Sequence, residues 1–116
     1  MKAHLVFVYG TLRRGESNHH FLARSQYLGC FETPAEYTLY DLGDYPAVVY
    51  GSNAICGEVY SIDDETLNRL DKLEDVPREY RREAIKTPFG VAWIYLYQDS
   101  TLLKKTILSG DWCQKA

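Results

Sequence analysis

The residues best suited to chemistry in this 116-residue chain are one carboxylate and one turn. The carboxylate is Glu74, in the segment Leu70-Asp71-Lys72-Leu73-Glu74-Asp75-Val76-Pro77. It follows an apolar residue at the end of a predicted helix, where the helix macrodipole is negative. Dipole and partial burial both favour the protonated carboxyl and together would raise its pKa towards neutrality. A carboxyl poised there can take up a proton and return it, which is general base and acid chemistry. The same pattern also fits a solvated carboxylate paired with Lys72 or Arg78.

The turn is Tyr9-Gly10-Thr11-Leu12, which ends the apolar run from His4 to Tyr9. A glycine able to take φ > 0 lets the following N–H groups converge as an anion-binding nest, and Thr11 adds a hydroxyl donor. An ordinary strand-to-loop turn has the same composition. No Walker-type lysine follows and no GxGxxG is present, so a nucleotide is not the expected ligand.

Other candidates have simpler readings. His19 and His20 are adjacent, diverge in any regular element and make a poor metal pair; exposed helix positions are expected. Cys30, Cys56 and Cys113 show no CxxC spacing and no paired base, so reduced, buried small hydrophobes are expected rather than ligands or nucleophiles. Arg78, Arg81 and Arg82 fit either steering of a carboxylate substrate or solvated strand-edge charges. Tyr80 fits a pocket wall or the core, and Glu58 fits either a contact to a substrate ammonium or a position facing water.

Short elements must hold these residues. The run His4–Tyr9 reads as a strand buried on both faces, which places the following turn at the heart of the fold. Ser17 and Asn18 are candidate caps for a short helix carrying Phe21 and Leu22 inward. Further strands are expected at Tyr27–Thr33, Tyr37–Leu42, Pro46–Val49 and Gly57–Ile62. Asp63-Asp64-Glu65 starts a helix whose stripe is Leu67, Leu70 and Leu73, and Pro77 stops it. A hairpin, Arg81–Thr87 with Val91–Gln98, turns at Pro88-Phe89-Gly90. A last short helix is expected from Ser100, with Gly110-Asp111-Trp112 packing back on the body. Strands dominate without regular βα alternation, which disfavours a Rossmann-type sheet. The expected fold is α+β, a single domain over residues 1–116, with the sheet curled into a small mixed β-barrel and short helices packed outside.

Composition excludes several classes. Apolar residues make up 46 % and charged residues 25 %, the balance of a globular domain. The net charge of −3 lacks the broad positive face that nucleic-acid binding requires. No signal peptide is expected at the N-terminus, and no stretch approaches the ~20 apolar residues of a membrane span. A soluble, cytoplasmic protein is expected; nothing in the sequence speaks to oligomeric state.

Taken in order, four segments resemble the γ-glutamylcyclotransferase-like superfamily, in particular γ-glutamylamine cyclotransferases and their small bacterial relatives. They are Val6–Leu12 with Arg13–Asn18, Tyr45-Pro46, Gly57-Glu58-Val59-Tyr60, and Leu70-Asp71 with Glu74 and Tyr80-Arg81-Arg82. The resemblance implies the family's fold and the release of 5-oxoproline from a γ-glutamyl amide. It implies Glu74 as the proton acceptor and Tyr9, Gly10, Thr11 and Leu12 as the substrate loop; from the two readings of Tyr80, the pocket wall is taken, as a further substrate-binding residue. Because the substrate's own α-amine attacks the γ-carbonyl, no metal or cofactor is expected, and the expected partner is a small γ-glutamyl molecule. The alternatives are a non-catalytic module binding a glutamate-like molecule and a partner-binding scaffold.

Overall fold

The structure, a computed structural model, describes residues 3–99, 101 and 103–114. Among these, the strands are β1 (Ala3–Val8), β2 (Gln26–Glu32), β3 (Tyr37–Asp41), β4 (Pro46–Tyr50), β5 (Cys56–Asp63), β6 (Tyr80–Thr87) and β7 (Gly90–Tyr97), with one α-helix, α1 (Asp64–Leu73). Short 3-10 helices cover His19–Leu22 and Trp112–Gln114.

β1 is central. Five strands form one sheet in the order β2-β5-β1-β7-β6, with β1 antiparallel to β5 and parallel to β7. Its apolar run is buried on both faces, as continuous hydrophobicity requires. Val6 and Val8 join a core with Leu22, Leu67, Leu70 and Tyr80, while Phe7 joins a second core with Leu39, Val48, Ile55 and Trp112. The chain that leaves β1 therefore emerges between two packed layers.

The closed barrel expected from the sequence is not found among the described residues; the fold is mixed α+β. β2 and β6 are the edges of the large sheet, and β3 with β4 forms a separate two-stranded sheet. Pro34 breaks the chain after β2, and β3 finds its ladder in β4, from Tyr37↔Tyr50 to Asp41↔Pro46.

α1 starts where acidic residues meet its positive end. Asp63 Oδ1 accepts the Thr66 N–H at 2.8 Å, and Asp64 and Glu65 occupy the first turn. Leu67 and Leu70 are buried, but Leu73 is not; it is 36 % exposed and belongs to the wall of a cavity rather than to the core stripe. The Asn18 region yields a 3-10 helix without a side-chain cap, because the Asn18 amide donates to Thr11 Oγ1 at 2.9 Å instead. The helix expected from Ser100 falls partly on residues 100 and 102, which lie outside the described residues. The tail does pack back: Trp112 is buried, and the Cys56 N–H donates to the Gly110 carbonyl at 2.8 Å. No helix among the described residues is long and apolar enough to cross a membrane.

Candidate active site

A cavity of about 380 Å³ opens where the end of β1, the start of β4 and the end of α1 converge. Tyr9, Gly10, Thr11, Leu12, Glu74 and Tyr80 all line it. Ser17, Asn18, Asp44, Tyr45, Pro46, Leu73 and Glu79 complete most of its wall. Its size suits a small ligand. Tyr9, Gly10 and Tyr80 are buried while Asp44 and Tyr45 are exposed, so the former form the floor and the latter the mouth.

Glu74 is the C-cap of α1, and its N–H donates to the Leu70 carbonyl at 2.9 Å. One turn earlier, Asp71 ties the helix to two strands: its Oδ1 accepts the Tyr95 hydroxyl at 2.8 Å and lies 2.9 Å from Arg82 Nε. Asp75 then takes φ of 52° and turns the chain away, leaving Glu74 at the cavity wall. Among the described residues the Glu74 carboxyl meets no hydrogen-bond or ion-pair partner, neither Lys72 nor Arg78. Arg78 instead pairs with Asp75. Burial, reinforced by the negative charge of Glu79, pushes the Glu74 pKa from the usual 4.5 up to about 7.

The Gly10 loop lines the same cavity as Glu74. Turn hydrogen bonds link Arg13 N to the Gly10 carbonyl at 3.0 Å and Asn18 N to the Thr11 carbonyl at 2.8 Å. Among the described residues, the N–H groups of Gly10, Thr11 and Leu12 donate to no protein acceptor, which leaves them for a ligand. Gly10 does not take the positive φ expected of it; Gly15, at +85°, supplies the left-handed turn further along. Glycine is needed at position 10 because a Cβ there would stand 2.4 Å from Pro46 Cγ.

The four lining tyrosines all donate their hydroxyl protons to protein acceptors. Tyr9 donates to the Tyr95 carbonyl (2.6 Å), Tyr80 to the Pro46 carbonyl (2.7 Å), Tyr95 to Asp71 and Tyr45 to Glu79 Oε1 (2.5 Å). Burial and the charges of Tyr9 and Glu74 hold the Tyr80 phenol protonated far beyond the ordinary range, and Glu79 pushes Tyr45 up to about 12. These oxygens offer a ligand only lone pairs. The charged lining residues are Asp44, Glu74 and Glu79, all acidic.

The remaining candidates stand elsewhere. Arg81 pairs with Glu83, and Arg82 lies over the Trp93 ring at 4.6 Å; neither Arg lines the cavity. Glu58 is buried, not facing water, and lies outside the cavity wall. Cys30 and Cys113 are exposed rather than buried, because they sit on an edge strand and in the tail. His19 is half-buried, its Nδ1 3.0 Å from the Leu12 carbonyl, and His20 is exposed. No cluster of three potential metal ligands is found among the described residues. Sequence reasoning missed Asp44, Ser17, Asn18 and Glu79 as lining residues; only the neighbourhood of Tyr45-Pro46 and Tyr80 hinted at two of them.

An α+β domain whose small cavity holds an unpaired, buried carboxyl beside a strand-end loop has the parts of a proton-transfer enzyme. Residues 6–114 match the family model described as gamma-glutamyl cyclotransferase, AIG2-like. The chain is 63 % identical over 112 residues to a Vibrio cholerae protein that carries the γ-glutamylcyclotransferase name provisionally, covering 97 % of each. The solution structure of YtfP from Escherichia coli aligns with a TM-score of 0.79 at 45 % identity, covering 95 % of this chain and 96 % of that one. The crystal structure of an uncharacterized Pyrococcus horikoshii protein aligns at 0.84 with 33 % identity, covering 94 % and 89 %. The chain belongs to the gamma-glutamyl cyclotransferase, AIG2-like family and is an enzyme of that type.

Proposed function

We propose that the protein releases 5-oxoproline and a free amine from a γ-glutamyl amine, with Glu74 as base and then acid. The observation that carries this reading is the unpaired Glu74 carboxyl, its pKa raised to about 7, in one small cavity with the free N–H groups of residues 10–12. Such a carboxylate takes one proton from the substrate's α-ammonium, freeing the amine to attack. The amine nitrogen bonds to the γ-carbon, and the carbonyl oxygen becomes an oxyanion. As the lactam forms, Glu74 returns its proton to the leaving nitrogen and the old C–N bond breaks. The carboxylate so regenerated takes the further proton that the ring nitrogen sheds, and passes it to the released amine, which departs as an ammonium. The enzyme supplies no nucleophile; its part is to fold the substrate into reach, to stabilise charge and to move protons.

The loop N–H groups and the Thr11 hydroxyl suit a carboxylate or the oxyanion, while the tyrosine oxygens suit an N–H-bearing group. Three acidic lining residues and no basic one favour an amine leaving group over an anionic one such as the cysteinylglycine of glutathione. The test is to incubate the protein with ε-(γ-glutamyl)-lysine, related γ-glutamyl amines and glutathione, and to measure 5-oxoproline. Formation from the amines supports the reading. Thermal stabilisation by these compounds with no product would instead favour a binding module.

A further inference from the structure

We infer that Glu58 is a positioning residue that fixes the substrate loop from behind; the link to catalysis rests on the function proposed above. Glu58 lies on β5, is 7 % exposed and does not line the cavity. Its two oxygens meet three donors. Oε1 accepts the Arg14 backbone N–H at 3.0 Å and the Tyr60 hydroxyl at 2.9 Å; Oε2 accepts Arg13 Nε at 3.3 Å. Arg13 and Arg14 directly follow Leu12, and the Arg13 N–H closes the turn onto the Gly10 carbonyl.

The other arm of Arg13 reaches the tail, where Nη1 lies 2.5 Å from Asp111 Oδ1. Next to it, Trp112 Nε1 donates to Glu16 Oε1 at 2.9 Å, again on the same loop. The loop is thus clamped between a buried carboxylate on the central sheet and the returning C-terminal segment. A buried ion pair is a poor way to gain stability compared with apolar packing, but it enforces a single geometry. Here that geometry belongs to cavity-lining residues whose N–H groups have no protein acceptor among the described residues. Glu74, on a different element, is not held by this clamp.

In Glu58→Gln the side-chain carbonyl can still accept from Arg14 and Tyr60, but the amide NH2 opposes Arg13 donor to donor. The loop loses its anchor while the proton-transfer group stays in place. KM for a γ-glutamyl amine should rise roughly tenfold, the cost of a charged hydrogen bond, with the midpoint of the pH–rate profile unchanged. A purely structural role would lower kcat by the fraction unfolded and leave KM alone. Arg13→Lys keeps the charge but cannot reach both carboxylates at once, and Asp111→Asn weakens only the outer arm. Both should raise KM, and they carry the test if Glu58→Gln does not fold.

A second measurement needs no turnover: backbone amide NMR signals of Gly10, Thr11 and Leu12 should move in all folded variants. Shifted amides with no activity in the wild-type protein would sink the proposed function and keep the clamp. Unmoved amides and unchanged KM in Arg13→Lys and Asp111→Asn would overturn the clamp.

Discussion

Gly10 and Pro46 meet so closely that the cavity floor has room for a hydrogen but not for a methyl group. A Cβ on Gly10 would stand 2.4 Å from Cγ and 2.7 Å from Cδ of the proline ring. Pro46 begins β4, lines the cavity, and accepts the Tyr80 hydroxyl through its carbonyl. The contact joins the end of β1 to the neighbouring hairpin and sets how far the substrate loop stands from Tyr80. A proline ring cannot swing aside as a long side chain can, so a larger residue at position 10 must displace backbone.

Gly10→Ala is expected to destabilise the fold by about 1–3 kcal/mol, the usual cost of overpacking, and to reduce turnover more than the lost stability explains. Urea denaturation and steady-state kinetics check both. Pro46→Ala should restore part of the loss in the double variant, because it removes the ring atoms that clash.

The pH dependence follows from which form of Glu74 does the work. The carboxylate must accept the proton, and its pKa is about 7, so kcat/KM should fall as pH drops below about 7 and level off above it. Glu79 is the nearby charge that opposes ionisation of Glu74. Glu79→Gln should therefore move the midpoint to lower pH, measured from kcat/KM across a pH series. A midpoint that stays put would remove Glu79 from the electrostatics of the site.

Stability should respond to the same proton. Glu74 has its pKa raised on folding from 4.5 to about 7, so the folded state holds the proton more tightly than the unfolded chain. Its favourable contribution is full below about pH 4.5 and is lost as pH rises to about 7, up to about 3 kcal/mol. Glu74→Gln carries no such penalty. Its melting temperature should match the wild type in acid and exceed it above neutrality.

Much of the site was legible because its parts are local. The unbroken apolar run Val6, Phe7 and Val8 marked a central strand, and the acidic start and leucine spacing of residues 63–70 marked a helix that ends at Glu74. Other features depend on contacts between distant segments. The reason for a glycine at position 10 lies in Pro46, not in its own dihedral angles. Glu58 sits on an alternating strand, and only the folded loop shows that Arg13 and Arg14 claim it. Leu73 has the spacing of a core residue, yet the helix ends there and leaves it at the cavity. The open sheet was hidden for a similar reason: strand pattern specifies which residues are extended but not whether edge strands meet.

The most direct measurement is 5-oxoproline release from a γ-glutamyl amine by Glu74→Gln beside the wild type. Circular dichroism of both proteins verifies that the fold is kept. The expected result is turnover by the wild type and none by the variant, which can neither accept nor return the proton. Full activity in a folded Glu74→Gln protein would contradict the role assigned to this carboxyl.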